Sequence, residues 1–262
     1  MGTSFFCMGS LPRHPPQAPA EAFNAKNMAM NRACIEKKQY FCARRTNDTS
    51  SHMKQLEKIF AAKLLKVKAI KLQPTNPFTW ASGWKSPFYC DNRKTLSYPD
   101  LRTFVKTEIA RIILEQFPEV EAIAGVATGA IPQGALVADA LALPFVYVRS
   151  KPKDHGLENL IEGELRPGMK VVVVEDLIST GGSSLKAVEA IRNNGCEVAG
   201  MVAAYTYGFD VAKQAFKEAG VKLVTLTNYE AVVEEALRIG YIRETDIELL
   251  NNWRKDPAHW NA

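Results

Sequence analysis

The sequence predicts an α/β fold, with a mainly parallel sheet covered on both faces by helices. Three observations point there. Short, continuously apolar runs such as EAIAGVAT (121–128) and KVVVVED (170–176) alternate with segments whose apolar residues recur at helical spacing. Strands apolar on both faces belong in parallel sheets flanked by helices. The chain is 47% apolar and 23% charged, as globular domains are, and it has no run of about 18 apolar residues that could form a membrane span.

Taken in order, LEKIFAAKLLKVKAI (56–70) has a helical period, and FTWASGWKSPFYCDNRK (78–94) reads as short strands and turns. YPDLRTFVKTEIARIILEQF (98–117) is an amphipathic helix with Asp100 in its first turn, where a carboxylate meets the positive end of the helix dipole. A strand at 121–128, a helix at 131–142 and a strand at 144–150 follow. The strand at 170–176 leads into a helix at 181–195 and a strand at 196–207. A helix near 209–219, a strand at 222–226 and helices near 228–239 and 243–253 complete the pattern. In sheets of this kind ligands sit beyond the carboxyl ends of the strands. The functional residues are therefore expected just after GVAT, VYVR and VVVVED.

Composition changes near residue 53. Residues 1–52 hold PRHPPQAPAEA and no sustained period, so they are expected to be a poorly ordered extension or a non-native leader. Their basic residues outnumber their acids, which leaves a transit peptide as an alternative, but they show neither its amphipathic Arg/Ser-rich helix nor a long apolar secretory run. The five cysteines are scattered, with no CxxC or Cys/His spacing, which argues against a zinc site or a disulfide framework and for a reducing, cytoplasmic setting. The net charge of +5 suits a pocket for a small polyanion and does not demand nucleic acid.

The most informative string is VVVVEDLISTGGSS (171–184). A buried strand ends in Glu175 and Asp176, and a loop through Ser179, Thr180, Gly181, Gly182 and Ser183 opens a helix. Free N–H groups at a helix start carry partial positive charge and suit a phosphate dianion. Glycines let that backbone come close, and Thr180, Ser183 and Ser184 can add hydroxyl donors. The paired carboxylates can accept hydrogen bonds from a sugar diol, but they would repel a phosphate, which belongs farther along on the glycines. The plainer reading is a strand-to-helix turn with ordinary capping residues.

This string resembles the PRPP-binding signature of type I phosphoribosyltransferases. The resemblance implies that family's fold: a central parallel sheet flanked by helices, with a small N-terminal hood. It also implies that Glu175 and Asp176 hold the ribose 2- and 3-hydroxyls, that Ser179, Thr180, Gly181, Gly182 and Ser183 hold the 5-phosphate, and that Leu177 and Ile178 belong to the same PRPP-binding run.

Two further segments narrow the family. In FVYVRSKPKDHG (145–156) a strand is followed by Arg149, Lys151, Lys153 and His155. Basic groups on such a loop can neutralise a departing pyrophosphate and exclude water; a solvated basic loop is the plainer alternative. The RxxxKxHG spacing and the SGxxSPxYxDxR core of 78–94 resemble the orotate phosphoribosyltransferases. That resemblance, which runs over roughly 56–250, implies an enzyme forming orotidine 5′-phosphate and pyrophosphate in pyrimidine biosynthesis. It places the hood mainly at 53–97 and the core at 98–253, within a domain at 53–262. Lys153, His155 and Asp176 would be catalytic, and Arg149, Lys153 and His155 would contact PRPP. Ser179, Tyr89 and Lys85 would meet orotate. Mg²⁺ would arrive on PRPP without a dedicated protein cage, and a homodimer would share the loop 149–156 between subunits. No nucleic-acid or membrane partner is expected.

The chain also departs from some members. Ala81 stands where they carry a lysine, Thr128-Gly129 replaces a Tyr-Lys pair, and the arginine they use for the base's carboxylate is replaced near Thr206–Tyr207. These differences leave open how that carboxylate is met. A rival reading is a PRPP-binding regulator of transcription. Its nucleic-acid-binding element would have to lie in 1–52, which shows neither a helix-turn-helix period nor zinc spacing.

Overall fold

The computed structural model describes residues 49–79, 85–151 and 160–260. A six-stranded sheet in the order β10-β9-β8-β5-β6-β7 forms its centre. It is built from β5 (Ala122–Val126), β6 (Phe145–Val148), β7 (Ile161–Glu162), β8 (Lys170–Ile178), β9 (Glu197–Thr206) and β10 (Leu223–Asn228). Every pairing is parallel except that of β7, which runs antiparallel to β6 at the sheet edge. Val171–Val174 of β8 are fully buried between neighbours on both sides. That is why a run of four valines was needed there: each face of the strand meets apolar side chains.

Helix α2 (Pro99–Gln116) starts with proline in its first turn and buries Leu101, Val105, Ile109, Ile112 and Ile113. Helices α3 (Ile131–Leu141), α4 (Gly182–Asn193), α5 (Asp210–Glu218), α6 (Tyr229–Arg238) and α7 (Ile247–Lys255) follow. Asn228 caps α6 by accepting from the Ala231 N–H at 2.9 Å.

Three elements differ from the sequence reading. The first helix, α1 (Thr49–Lys66), ends before residue 70, and Ile70–Leu72 form β1 instead. Lys68 turns the chain at φ +54°, and Ile70 then pairs with Cys90 of β4 (Phe88–Cys90). The apolar period of Val67, Ala69 and Ile70 concealed this turn. Strand β8 also continues to Ile178, because β9 supplies partners for Leu177 and Ile178 in Tyr205 and Thr206. Finally, β7 is two residues long, too short to leave a pattern.

Helix α1 packs against α6 and β10 of the core, although its sequence position groups it with the hood. Above the strand ends lie β1, β2 (Phe78–Thr79), β3 (Lys85–Ser86) and β4, with β2 paired to β3 and β1 to β4. A 3-10 helix (Asn92–Ser97) returns the chain to α2. Among the described residues no helix is long and apolar enough to cross a membrane.

Candidate active site

Three chain segments converge at the carboxyl end of the sheet. Cys90–Arg93 leave β4, Ala127–Gly129 leave β5, and Glu175–Leu177 end β8. Together with Ser183 at the start of α4 they line a cavity of about 340 Å³. This is the strand-end location expected for a ligand in an open α/β sheet.

Larger hollows also occur: one of about 410 Å³ lies between residues 72–76 and 240–246, and two of about 730 and 570 Å³ lie around the ends of β9 and β10 and around α7. Their charges are largely paired with one another. Lys58 meets Glu234 at 3.3 Å, Lys213 meets Asp210 at 2.9 Å, and Arg254 meets Glu230 at 2.6 Å. The smaller cavity holds the carboxylates and the adjoining helix start that a sugar phosphate needs, so chemistry outweighs size.

Glu175 is 5% exposed, and both its oxygens are engaged. Oε2 accepts from the Ser184 hydroxyl at 2.7 Å, and Oε1 accepts from the Asp176 N–H at 2.9 Å. Burial, reinforced by the neighbouring Asp176 carboxylate, pushes its pKa up to about 8. The Asp176 carbonyl accepts from the Asn92 amide Nδ2 at 2.6 Å. Its carboxylate lies against the backbone of Gly129, where any β-carbon would overlap it. The Cys90 thiol donates to Asn92 Oδ1 at 3.4 Å. Burial, with Asp176 and Asp91 nearby, pushes that thiol's pKa well up.

The loop 179–183 leads straight from β8 into α4. Gly181 caps α4 at φ +84°, and a side chain there would also strike the Phe216 ring. The space around the Cα of Gly182 is open. The first-turn N–H groups of α4 have no carbonyl within the helix to meet, so they are available to an anion. Thr180 and Ser183 are exposed, whereas Ser184 is buried and its hydroxyl is engaged with Glu175.

Comparison with known proteins accords with this geometry. Residues 102–238 match the model of the phosphoribosyl transferase domain. Over 210 residues the chain is 83% identical to the orotate phosphoribosyltransferase of Bacteroides thetaiotaomicron, covering 80% of this chain and 99% of that protein. The chain belongs to the orotate phosphoribosyltransferase family. Among solved structures, orotate phosphoribosyltransferase from Aeropyrum pernix superposes with a TM-score of 0.62 at 29% identity, over 70% of this chain and 99% of that one. UMP synthase of Leishmania donovani gives 0.63 at 24% identity, a likeness of fold, over 76% of this chain but 42% of that one.

The remaining residues to which the sequence points are placed as follows. Arg149 stands at the base of the β6–β7 hairpin. Its N–H donates to the Leu160 carbonyl at 2.8 Å, and its guanidinium faces Glu162 at 3.5 Å. Lys153 and His155 lie outside the described residues, as does 80–84 of the hood. Ile178 is fully buried, and its carbonyl accepts from the Tyr207 N–H. Ser179 is half-buried. Thr180 lines the 570 Å³ hollow that adjoins the end of β9.

Tyr89 turns outward, 37% exposed, with its ring 5.5 Å from Phe78. Lys85 is exposed and donates to the Thr79 hydroxyl at 3.0 Å. Neither of them lines the 340 Å³ cavity. Tyr207 is buried, stacked on Phe209 at 5.3 Å.

Sequence reasoning missed Asn92 and Arg254. Asn92 lay inside a quoted motif but at one of its variable positions. Arg254, on α7, donates to the carbonyls of Tyr207 at 3.1 Å and Gly208 at 3.2 Å, and no local pattern connects residues so far apart.

Proposed function

We propose that the chain transfers the 5-phosphoribosyl group of PRPP to orotate, giving orotidine 5′-phosphate and pyrophosphate in de novo pyrimidine (UMP) biosynthesis. The observation that carries this reading is the Glu175–Asp176 pair at the end of β8, running directly into the glycine-opened helix α4.

In this reading the 5-phosphate rests on the first-turn N–H groups of α4 and on the hydroxyls of Thr180 and Ser183. Asp176 accepts hydrogen bonds from the ribose hydroxyls. Glu175, held largely protonated, keeps the pair from repelling the substrate's phosphates as strongly as two carboxylates would. Arg149, Lys153 and His155 neutralise the pyrophosphate as the C1–O bond breaks. The new bond forms between C1 and orotate N1, whose proton leaves. Positioning and charge stabilisation carry the reaction, with no covalent nucleophile. Ser179 is the base contact favoured by the motif. Tyr89 and Lys85 would reach orotate only if the hood closes over the cavity.

Asp91, Glu175 and Asp176 supply oxygen donors along the cavity, the ligand type Mg²⁺ prefers. Among the described residues no three His, Cys, Asp or Glu side chains are spaced to hold a cation. In this reading the ion is bound chiefly by PRPP oxygens and offsets the charge on pyrophosphate. A homodimer sharing the loop 149–156 is supported by the loop's place between β6 and β7, the latter the sheet's edge strand. A cytoplasmic setting accords with the free thiols of Cys90 and Cys196.

The test is orotate consumption in the presence of PRPP and Mg²⁺, followed as loss of orotate absorbance. Loss that requires both substrates is expected. If adenine, hypoxanthine or uracil is consumed while orotate is inert, the assignment of the base is wrong.

A further inference from the structure

Strand β8 outruns its neighbour β5. The last pair between them is Val174 with Gly125, and β5 ends at Val126 while β8 continues to Ile178. The acid pair therefore sits in an overhang, beyond the last residue that β5 can brace. A carbonyl there needs a donor from elsewhere, because an unmet buried carbonyl costs stability. Asn92 supplies it, 84 residues away in sequence: its Nδ2 donates to the Asp176 carbonyl at 2.6 Å.

Asn92 is itself tightly held. It is 5% exposed, its Oδ1 accepts from the Cys90 thiol, and its carbonyl accepts from the Thr95 hydroxyl at 2.7 Å. Just before it, the Asp91 N–H donates to the Ala69 carbonyl at 2.8 Å. The amide is thus fixed by the hood and grips the backbone of the acid at the cavity wall. On the other side Gly129 closes against the Asp176 carboxylate.

We propose that Asn92 is a positioning residue for Asp176, standing in for the missing length of β5 and fixing the angle at which the carboxylate meets the ribose hydroxyls. This rests on the reading of the cavity as a PRPP site. Asn92 acts through Asp176, so its contribution to binding exists only while that carboxylate is present.

A double-mutant cycle on the full chain tests this, with PRPP affinity measured by titration calorimetry in Mg²⁺. Asn92→Ala is expected to weaken PRPP binding about tenfold, as loss of a partly buried directional hydrogen bond does. In an Asp176→Ala background the same change is expected to alter affinity by about twofold or less. Unchanged affinity in Asn92→Ala, or a loss that adds in full to that of Asp176→Ala, overturns the proposal. Should Asn92→Ala fail to fold, Asn92→Leu keeps nearly the same side-chain size, removes the donor without adding a charge beside Asp176, and carries the same cycle. A wild-type chain that does not bind PRPP overturns the reading of the cavity as well. Wild-type binding without coupling overturns the positioning role alone.

Discussion

The hood strand β4 and the residues just after it are fastened to the core at two points of opposite character. At Phe88 the attachment is apolar. Its fully buried ring lies 5.8 Å from Tyr205, 5.3 Å from Tyr207, 5.2 Å from Tyr229 and 6.2 Å from Trp253, so one side chain joins β4 to β9, α6 and α7. At Asn92 the attachment is a single 2.6 Å hydrogen bond to the last acid of β8. Apolar burial is large and non-directional, whereas a hydrogen bond contributes little net energy but fixes an angle. The aromatic cluster therefore determines whether the hood is present, and the amide determines how the acid beneath it points.

Breaking the aromatic point is expected to have the largest effect. Phe88→Ala leaves a cavity among four rings and should cost about 3–5 kcal/mol of stability. Thermal unfolding would show this as a large fall in Tm, with loss of activity alongside it. A Tm near that of the wild type would mean that the cluster does not hold the hood. A smaller effect, and a different one, is expected at the polar point. Gly129→Ala forces the Asp176 carboxylate aside, and a displacement of about 1 Å at a reacting group can cost about a hundredfold in turnover. Here kcat/KM should fall while Tm stays close to the wild-type value. A fall in Tm matching that of Phe88→Ala would erase the distinction between the two points.

The same two points mark how far the sequence could be read. The strand Val171–Val174, the acids and the glycine turn form one uninterrupted string, so their chemistry was legible before the fold was. Phe88 and Tyr89 were not separable by composition, since both are aromatic. Strand alternation sends Phe88 inward and leaves Tyr89 exposed beside Phe78, which only the register of β1 with β4 settles. Ser184 read as one more phosphate donor, yet its place on the buried face of α4 turns it to Glu175. The Asn92–Asp176 bond depends on β8 being longer than β5, and a difference between strand lengths leaves no mark at either residue.

The smallest effect separates the two points by pH. Phe88 carries no titratable group, so its contribution is the same across the neutral range. Glu175 is different, because burial and Asp176 raise its folded-state pKa to about 8 from an ordinary carboxylate value of 4.5. Between those values the unfolded chain releases a proton that the folded chain retains, so stability falls as pH rises from about 4.5 and levels off above about 8. Glu175→Gln is neutral at every pH and removes this slope. Its amide oxygen can still accept from the Asp176 N–H, and the Ser184 hydroxyl can rotate to accept from the new NH₂. The variant's Tm should match the wild type near pH 4.5 and exceed it near pH 8, by a margin on the order of 5 °C. Curves that stay parallel from pH 5 to pH 9 would mean that Glu175 is ionised in the folded protein. The polar point would then hold a doubly charged acid pair, and Asn92 would be bracing Asp176 against its neighbour's charge as well as orienting it.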